Sequence, residues 1–329
     1  MHPVLALFRR NAWATERLLD FCDGRPEVDA PAEGDVYGPI EPTFNHLVSA
    51  ETGYLRLLTG ELPDDRVRES APRRLADLCA PLRRLADRWI AALGADRDPD
   101  RVLEYQRGDD PEWMPDWIPL VQCVHHGDDH RAQIATLLGR QRVEPPELDG
   151  WNFGDEAAAD HSSAVRDWWP ALLRRFIDHH LWATERLLER CRELSPEQLA
   201  LSAPGTYGAI GATLEHLVSS DRSYLFRLRG HGRPPPLEIE DPAALLEHLP
   251  RQREEWSAYL DSEPDFDAMV ETRIGASPAW VFVMQAIHHG NDHRTHVGTV
   301  LLRNQLDLPD LDVWAYGEAV GALQRPLPP

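Results

Sequence analysis

At 329 residues and 42% apolar content, the chain is long enough for about two domains with substantial cores. Its formal charge of −21, with Arg supplying every basic residue, argues against nucleic acid and anionic membrane surfaces as partners, since both select clustered positive charge. No apolar run reaches the ~18 residues of a membrane span, and the first ten residues place an apolar patch before Arg9 and Arg10, the wrong order for a secretory signal, so a cytoplasmic protein is expected. Taken in chain order, the apolar periodicity predicts helices over 3–23, 41–60, 71–93 and 119–139, then again over 163–192, 211–230, 242–261 and 278–304. Pro42 and Pro119 stand near helix starts, and Gly60, Gly94, Gly139 and Gly230 near helix ends. No strand run is evident. The expected fold is all-α, with one four-helix bundle in each half.

The two halves are copies of one unit. Residues 13–19 recur unchanged at 182–188, Tyr37-Gly38 as Tyr207-Gly208, and His46-Leu47-Val48-Ser49 as His216-Leu217-Val218-Ser219. Leu148-Asp149 and Trp151 return as Leu311-Asp312 and Trp314. A period of roughly 165 residues is too long for a solenoid and marks a duplicated domain. The acidic stretch 155–163 lacks apolar periodicity, which divides the chain into 1–158 and 159–329. Two linked bundles predict a monomer with an internal pseudo-two-fold. Cys22, Cys79, Cys123 and Cys191 lack CxxC spacing and read as reduced thiols.

The stretch 122–131 carries His126 and His130, and its repeat at 285–294 carries His289 and His293. Histidines four apart project from one helix face. Chance supplies fewer than one such pair in a chain of this composition, whereas these two occupy equivalent places in a duplicated unit. His46 and His216 stand on apolar stripes of the second helix of each half, and facing helices of a bundle are the usual place for an inward metal site. The candidate ligands are therefore His46, His126 and His130, and His216, His289 and His293. Three imidazoles with an open position describe a catalytic divalent-metal site rather than a closed structural one. A di-iron site would need Glu three residues before His, and no histidine here has it.

Around these ligands, Asp129 and Asp292 precede the last histidine, and Glu51 and Asp221 follow the second-helix histidine by five residues. These four carboxylates are candidates for orienting an imidazole or handling a proton. Trp151 and Trp314 are candidate pocket walls, while Trp13, Trp182, Tyr54 and Tyr224 read as packing. Arg131 and Arg294 read as partners of carboxylates. His125 and His288 point about 100° away, toward another seam or solvent. His179, His180 and His296 lack matching histidines and are given no ligand role.

The second-helix His-Leu pairs, the runs from His126 to Arg131 and from His289 to Arg294, and the segments from Leu148 to Phe153 and from Leu311 to Tyr316 together resemble the DinB family, twice over. That resemblance implies an up-down-down-up four-helix bundle in each half, holding zinc, nickel or iron through the three histidines. It also implies chemistry on a small-molecule substrate through a low-molecular-weight thiol, bacillithiol or mycothiol, of the S-transferase type. The residues themselves leave open a metal-dependent hydrolase and a non-enzymatic metal-binding stress-response protein.

Overall fold

A computed structural model of the chain describes residues 1–25, 38–107, 110–157, 165–272 and 275–324. The first half runs through α1 (Pro3–Cys22), α2 (Ile40–Thr59), α3 (Cys79–Gly94), the strands β1 (Val102–Arg107) and β2 (Asp110–Pro115), α4 (Trp117–Arg140) and α5 (Gly150–Ala157). The second runs through α6 (Trp169–Cys191), α7 (Pro196–Leu199), α8 (Ile210–Leu228), α9 (Pro242–Leu246), α10 (Leu249–Asp261), β3 (Met269–Glu271), β4 (Ala276–Pro278), α11 (Ala279–Arg303) and α12 (Val313–Ala319). Local chemistry sets the ends. The Nδ1 of His2 accepts the Val4 N–H at 3.2 Å, with Pro3 in the first turn where no N–H is needed. Gly60, at φ 75°, closes α2 by donating to the Arg56 carbonyl at 2.7 Å, in a left-handed conformation that costs glycine little.

Each half is a helical bundle, α1 and α2 against α3 and α4 in the first, α6 and α8 against α9, α10 and α11 in the second. Three expectations are corrected. The helix predicted from 71 begins at Cys79, after a 3-10 turn at Leu75–Asp77. The helix predicted over 242–261 is broken between α9 and α10, where Pro250 has no N–H to give the preceding turn. Two antiparallel hairpins, β1–β2 and β3–β4, stand where no strand was read, each leading into the helix that carries the histidine pair of its half. Cys22, Cys123 and Cys191 are buried and free, and burial pushes the Cys22 and Cys191 thiols up to about 12.

α4 and α11 pack against each other at the centre of the molecule. Every residue from Trp117 to Val124 is buried, as is every residue from Ala279 to His288, so these helices are apolar nearly all round. One core runs through both halves, joining Phe8 of α1 to Phe176 of α6, with ring centroids 6.5 Å apart. Burial of each such side chain is worth about 1.5–3 kcal/mol. Trp168 and Trp169 donate their indole N–H groups to the Ala95 and Leu93 carbonyls at 3.2 Å, pinning the second half to the end of α3.

The contacts between the halves are reciprocal. His125 Nδ1 lies 3.1 Å from Asn291 Oδ1, and His288 Nδ1 lies 3.1 Å from Asp128 Oδ1. The Gly150 N–H donates to Gln285 Oε1 at 2.6 Å, and the Val313 N–H donates to Gln122 Oε1 at 3.0 Å. α5 therefore sits on α11 of the other half, and α12 on α4. These exchanges describe an approximate internal two-fold.

Candidate metal centres

α2 and α4 bring His46, His126 and His130 together, and α8 and α11 bring His216, His289 and His293 together. The Nε2 of His126 lies 3.2 Å from that of His46 and 3.0 Å from that of His130. In the second half, the Nε2 atoms of His216 and His289 are 3.1 Å apart. Ring centroids are spaced 5.1, 5.0 and 4.3 Å in the first triad and 5.0, 4.9 and 4.2 Å in the second. Three ring nitrogens around one tetrahedral zinc would be about 3.4 Å apart. All six histidines except the buried His293 are partly exposed, so both clusters are open to solvent.

The surroundings favour neutral imidazoles, the form that ligates a cation. Burial, then the neighbouring imidazoles, holds His126 and His289 well below the ordinary histidine value. Burial also lowers His130 and His216, and it brings His293 down to about 3 against the opposing pull of Asp292. His130 has its tautomer fixed by a relay: Asp129 Oδ2 accepts the Gln133 amide at 2.7 Å, which leaves Gln133 Oε1 to accept the His130 Nδ1–H at 2.8 Å. The Nε2 lone pair then faces the triad. His46 Nδ1 is held by Glu69 Oε1 at 2.8 Å. The residues present thus fit a divalent cation in each half.

Tyrosines and tryptophans surround the triads crosswise. Tyr54 sets its ring edge-on to His126 at 5.6 Å, and Trp314 of the second half packs on Tyr54 at 6.2 Å and on Tyr105 at 5.9 Å. Tyr224 is edge-on to His289 at 5.7 Å, and Trp151 of the first half packs on Tyr224 at 6.0 Å and on Phe282 at 4.8 Å. A cavity of about 630 Å³ opens beside His216, lined by Trp151, Tyr224, Phe282, Arg227 and Arg233. Each of the two tryptophans therefore packs on the tyrosine that meets the triad of the opposite half. Trp13 is half-buried and donates to Glu156 at 2.7 Å, so it is a rim residue rather than core.

The predicted carboxylates divide. Asp129 reaches its triad through Gln133, and its other oxygen accepts from Thr295 of the second half at 2.6 Å. Asp292 lies 3.8 Å from His296, and although burial opposes ionisation, His296 and His293 hold its carboxyl low. Glu51 and Asp221 join neither triad. Glu51 accepts from Asn11 at 2.8 Å, and burial pushes it up to about 7. Asp221 faces His180 at 3.3 Å and accepts from Trp256 at 3.2 Å. Five residues advance a helix by about 140°, which turns both behind their histidines.

Arg131 pairs with Asp128 at 2.7 Å, as expected of it. Among the described residues Arg294 pairs with no carboxylate: it donates to Asn291 at 2.5 Å and to Thr184 at 2.9 Å. His125 and His288 face the seam between halves. Sequence reasoning passed over Tyr207, which stacks on His216 at 4.5 Å and meets His293 edge-on at 4.7 Å. The repeated Tyr-Gly pair was its signal, and its counterpart Tyr37 lies outside the described residues. Gln133 and Glu69 had no repeat to mark them.

Among the described residues, no helix is long and apolar enough to cross a membrane. Residues 1–161 match the DinB family, and residues 179–297 match the DinB superfamily. No curated protein matches the chain. With two successive matches over helical bundles that bear equivalent histidine triads, the chain belongs to the DinB superfamily and carries two DinB-family domains in tandem.

Proposed function

We propose that each half holds one divalent cation, zinc, nickel or iron, on its three histidines. On this reading the chain is a metal-dependent enzyme acting on a small molecule through a low-molecular-weight thiol. The single observation that carries it is the meeting of three histidines at an open site in both halves, their ring nitrogens within 4.8 Å of one another, with His126 Nε2 3.2 and 3.0 Å from those of His46 and His130 and the Nε2 atoms of His216 and His289 3.1 Å apart. A divalent ion there supplies a Lewis acid that lowers the pKa of a bound thiol or water. The protein's part is positional. Neutral imidazoles offer lone pairs, the Asp129–Gln133 relay keeps the His130 proton on Nδ1, and Tyr207 covers His216 and His293. The cavity beside His216 is of a size for a small molecule, with an aromatic wall from Trp151, Tyr224 and Phe282 and two guanidinium groups toward one side. Bacillithiol and mycothiol are the co-substrates proposed, in an S-transferase reaction, with 1–158 and 159–329 as the two domains of a cytoplasmic monomer.

Elemental analysis joined to conjugation assays tests this. The native protein is expected to carry metal, and His126→Ala and His289→Ala are each expected to remove one equivalent. Conjugation of an electrophile should require bacillithiol or mycothiol and fail with glutathione. Turnover that persists without any thiol would indicate a hydrolase. Metal uptake without turnover would leave a metal-binding protein, and undiminished metal in both variants would defeat the ligand assignment.

A further inference from the structure

The two triads differ at one neighbouring position. In the first half, Gln133 satisfies both His130 Nδ1 at 2.8 Å and Asp129 at 2.7 Å. In the second half that place in the repeat is occupied by His296, four residues after Asp292 on α11. The rings of the second triad are spaced and tilted as those of the first, and the His296 ring lies edge-on to that of His293. His293 Nδ1 and His296 Nδ1 are both buried and both unpartnered, with ring centroids 5.6 Å apart. Asp292 Oδ2 stands 3.8 Å from His296 Nδ1, too far for a hydrogen bond. It is close to the span of two ligands that share one cation at about 2.1 Å each.

We propose that Asp292, His293 and His296 form a third cation site, peculiar to the second half, that takes a borderline divalent metal such as zinc or cobalt. The ligand atoms of the three residues lie within 4.8 Å of one another. One carboxylate and two imidazoles are a donor set that such ions accept. Access is through a cavity of about 860 Å³ between the halves, lined by these residues together with His216, His289 and Tyr207. His293 is shared, giving Nε2 to the triad and Nδ1 to the third site. When both are filled its ring is an imidazolate, and the displaced Nδ1 proton passes to solvent. The first half cannot do this, because an amide at 133 already closes the equivalent position.

The proposal rests on the triads being metal sites, and one titration separates the two ideas. The intact chain, stripped with chelator, is reloaded with cobalt(II) or zinc and its bound metal counted after gel filtration. The wild type is expected to hold three equivalents and His296→Gln two, a one-third loss, with unchanged thermal melting because glutamine already serves at 133. Asp292→Asn is expected to lose the same equivalent, so a folding defect in either variant does not decide the result. Two equivalents in the wild type and in both variants would overturn the third site alone. No uptake by the wild type would overturn the third site and the triads together.

Discussion

Asp128 holds the centre of the molecule, and replacing it by asparagine tests the interior with little change of shape. Its side chain is 0% exposed. It accepts from Arg10 at 2.5 Å, Arg131 at 2.7 Å, His288 at 3.1 Å and Asn291 at 3.0 Å. Burial favours its protonated form, but Arg10, His288 and Arg131 hold the carboxyl well below the ordinary range. Asp128→Asn leaves two buried guanidinium groups without their shared counterion, and breaking a buried pair in this way costs about 3–5 kcal/mol. At about 2 °C per kcal/mol for a long chain, melting should fall by ~6–10 °C. Calorimetry of the metal-free protein at neutral pH measures it. The sign in acid follows from the same shift. With a depressed folded-state value, the contribution is present above the unfolded value of about 3.9 and is lost as pH falls toward the folded one. The gap between wild type and variant should therefore narrow below about pH 4. A loss under about 1 kcal/mol at neutral pH, or a gap that does not close in acid, would refute the claim that the charge of Asp128 stabilises the join.

Four further outcomes are expected. The metal-free chain should lose stability as pH falls from about 6.5 toward 4.5. His2, His126, His130, His179, His216, His289 and His293 all have lowered folded-state values and bind protons first when unfolded, outnumbering the buried carboxylates that oppose them, Glu51, raised to about 7, and Asp178 and Asp312, also raised by burial; denaturant melts that strengthen in acid would contradict this. Gly127→Ala should cost about 1–3 kcal/mol in thermal melts, because its Cβ would come 2.1 Å from Asn11 Oδ1 and displace the bonds Asn11 makes to Arg131 and Glu51; an unchanged midpoint counts against the close approach of α1 and α4. Trp314→Ala should impair turnover in a His289→Ala background, which leaves the first triad, and Trp151→Ala should impair it in a His126→Ala background; same-half effects would contradict the crosswise walls. Asn291→Asp should lower stability increasingly as pH rises, since a second carboxylate beside Asp128 must keep a proton; denaturant titrations at several pH values read it, and a pH-independent loss would speak against charge repulsion.

The bundles and triads were legible because both are periodic and both are repeated. His126 and His130 share a helix face by spacing alone, and the second copy at His289 and His293 raises the pattern above chance. The hairpins escaped notice because β1 and β2 are short, carry Pro111 and Pro115, and alternate weakly. Glu51 and Asp221 were matched in both halves, yet sequence distance from a ligand does not give direction, and a turn of the helix sends them into the core. The crosswise walls were out of reach for a different reason. Trp151 follows its own triad in sequence, and a backbone contact, Gly150 N–H to Gln285, carries it to the other one. Which half a segment closes over depends on how the halves meet, and local patterning does not encode that.

The axis also explains why the copies are not identical. Position 128 of the first half meets position 291 of the second across the join, and the two repeats place Asp and Asn there. Asn291 uses both ends of its amide: Oδ1 accepts from Arg294 at 2.5 Å and lies 3.1 Å from His125 Nδ1, and Nδ2 donates to Asp128 at 3.0 Å. Two aspartates would set carboxylates against each other in a dry interior, and two asparagines would leave Arg10 and Arg131 uncompensated. A symmetric dimer of one bundle must put the same residue on both sides of its axis. A single chain with two unequal copies can put an acceptor against a donor. The same freedom lets position 133 be glutamine while its counterpart at 296 is histidine, so the two histidine clusters need not be alike.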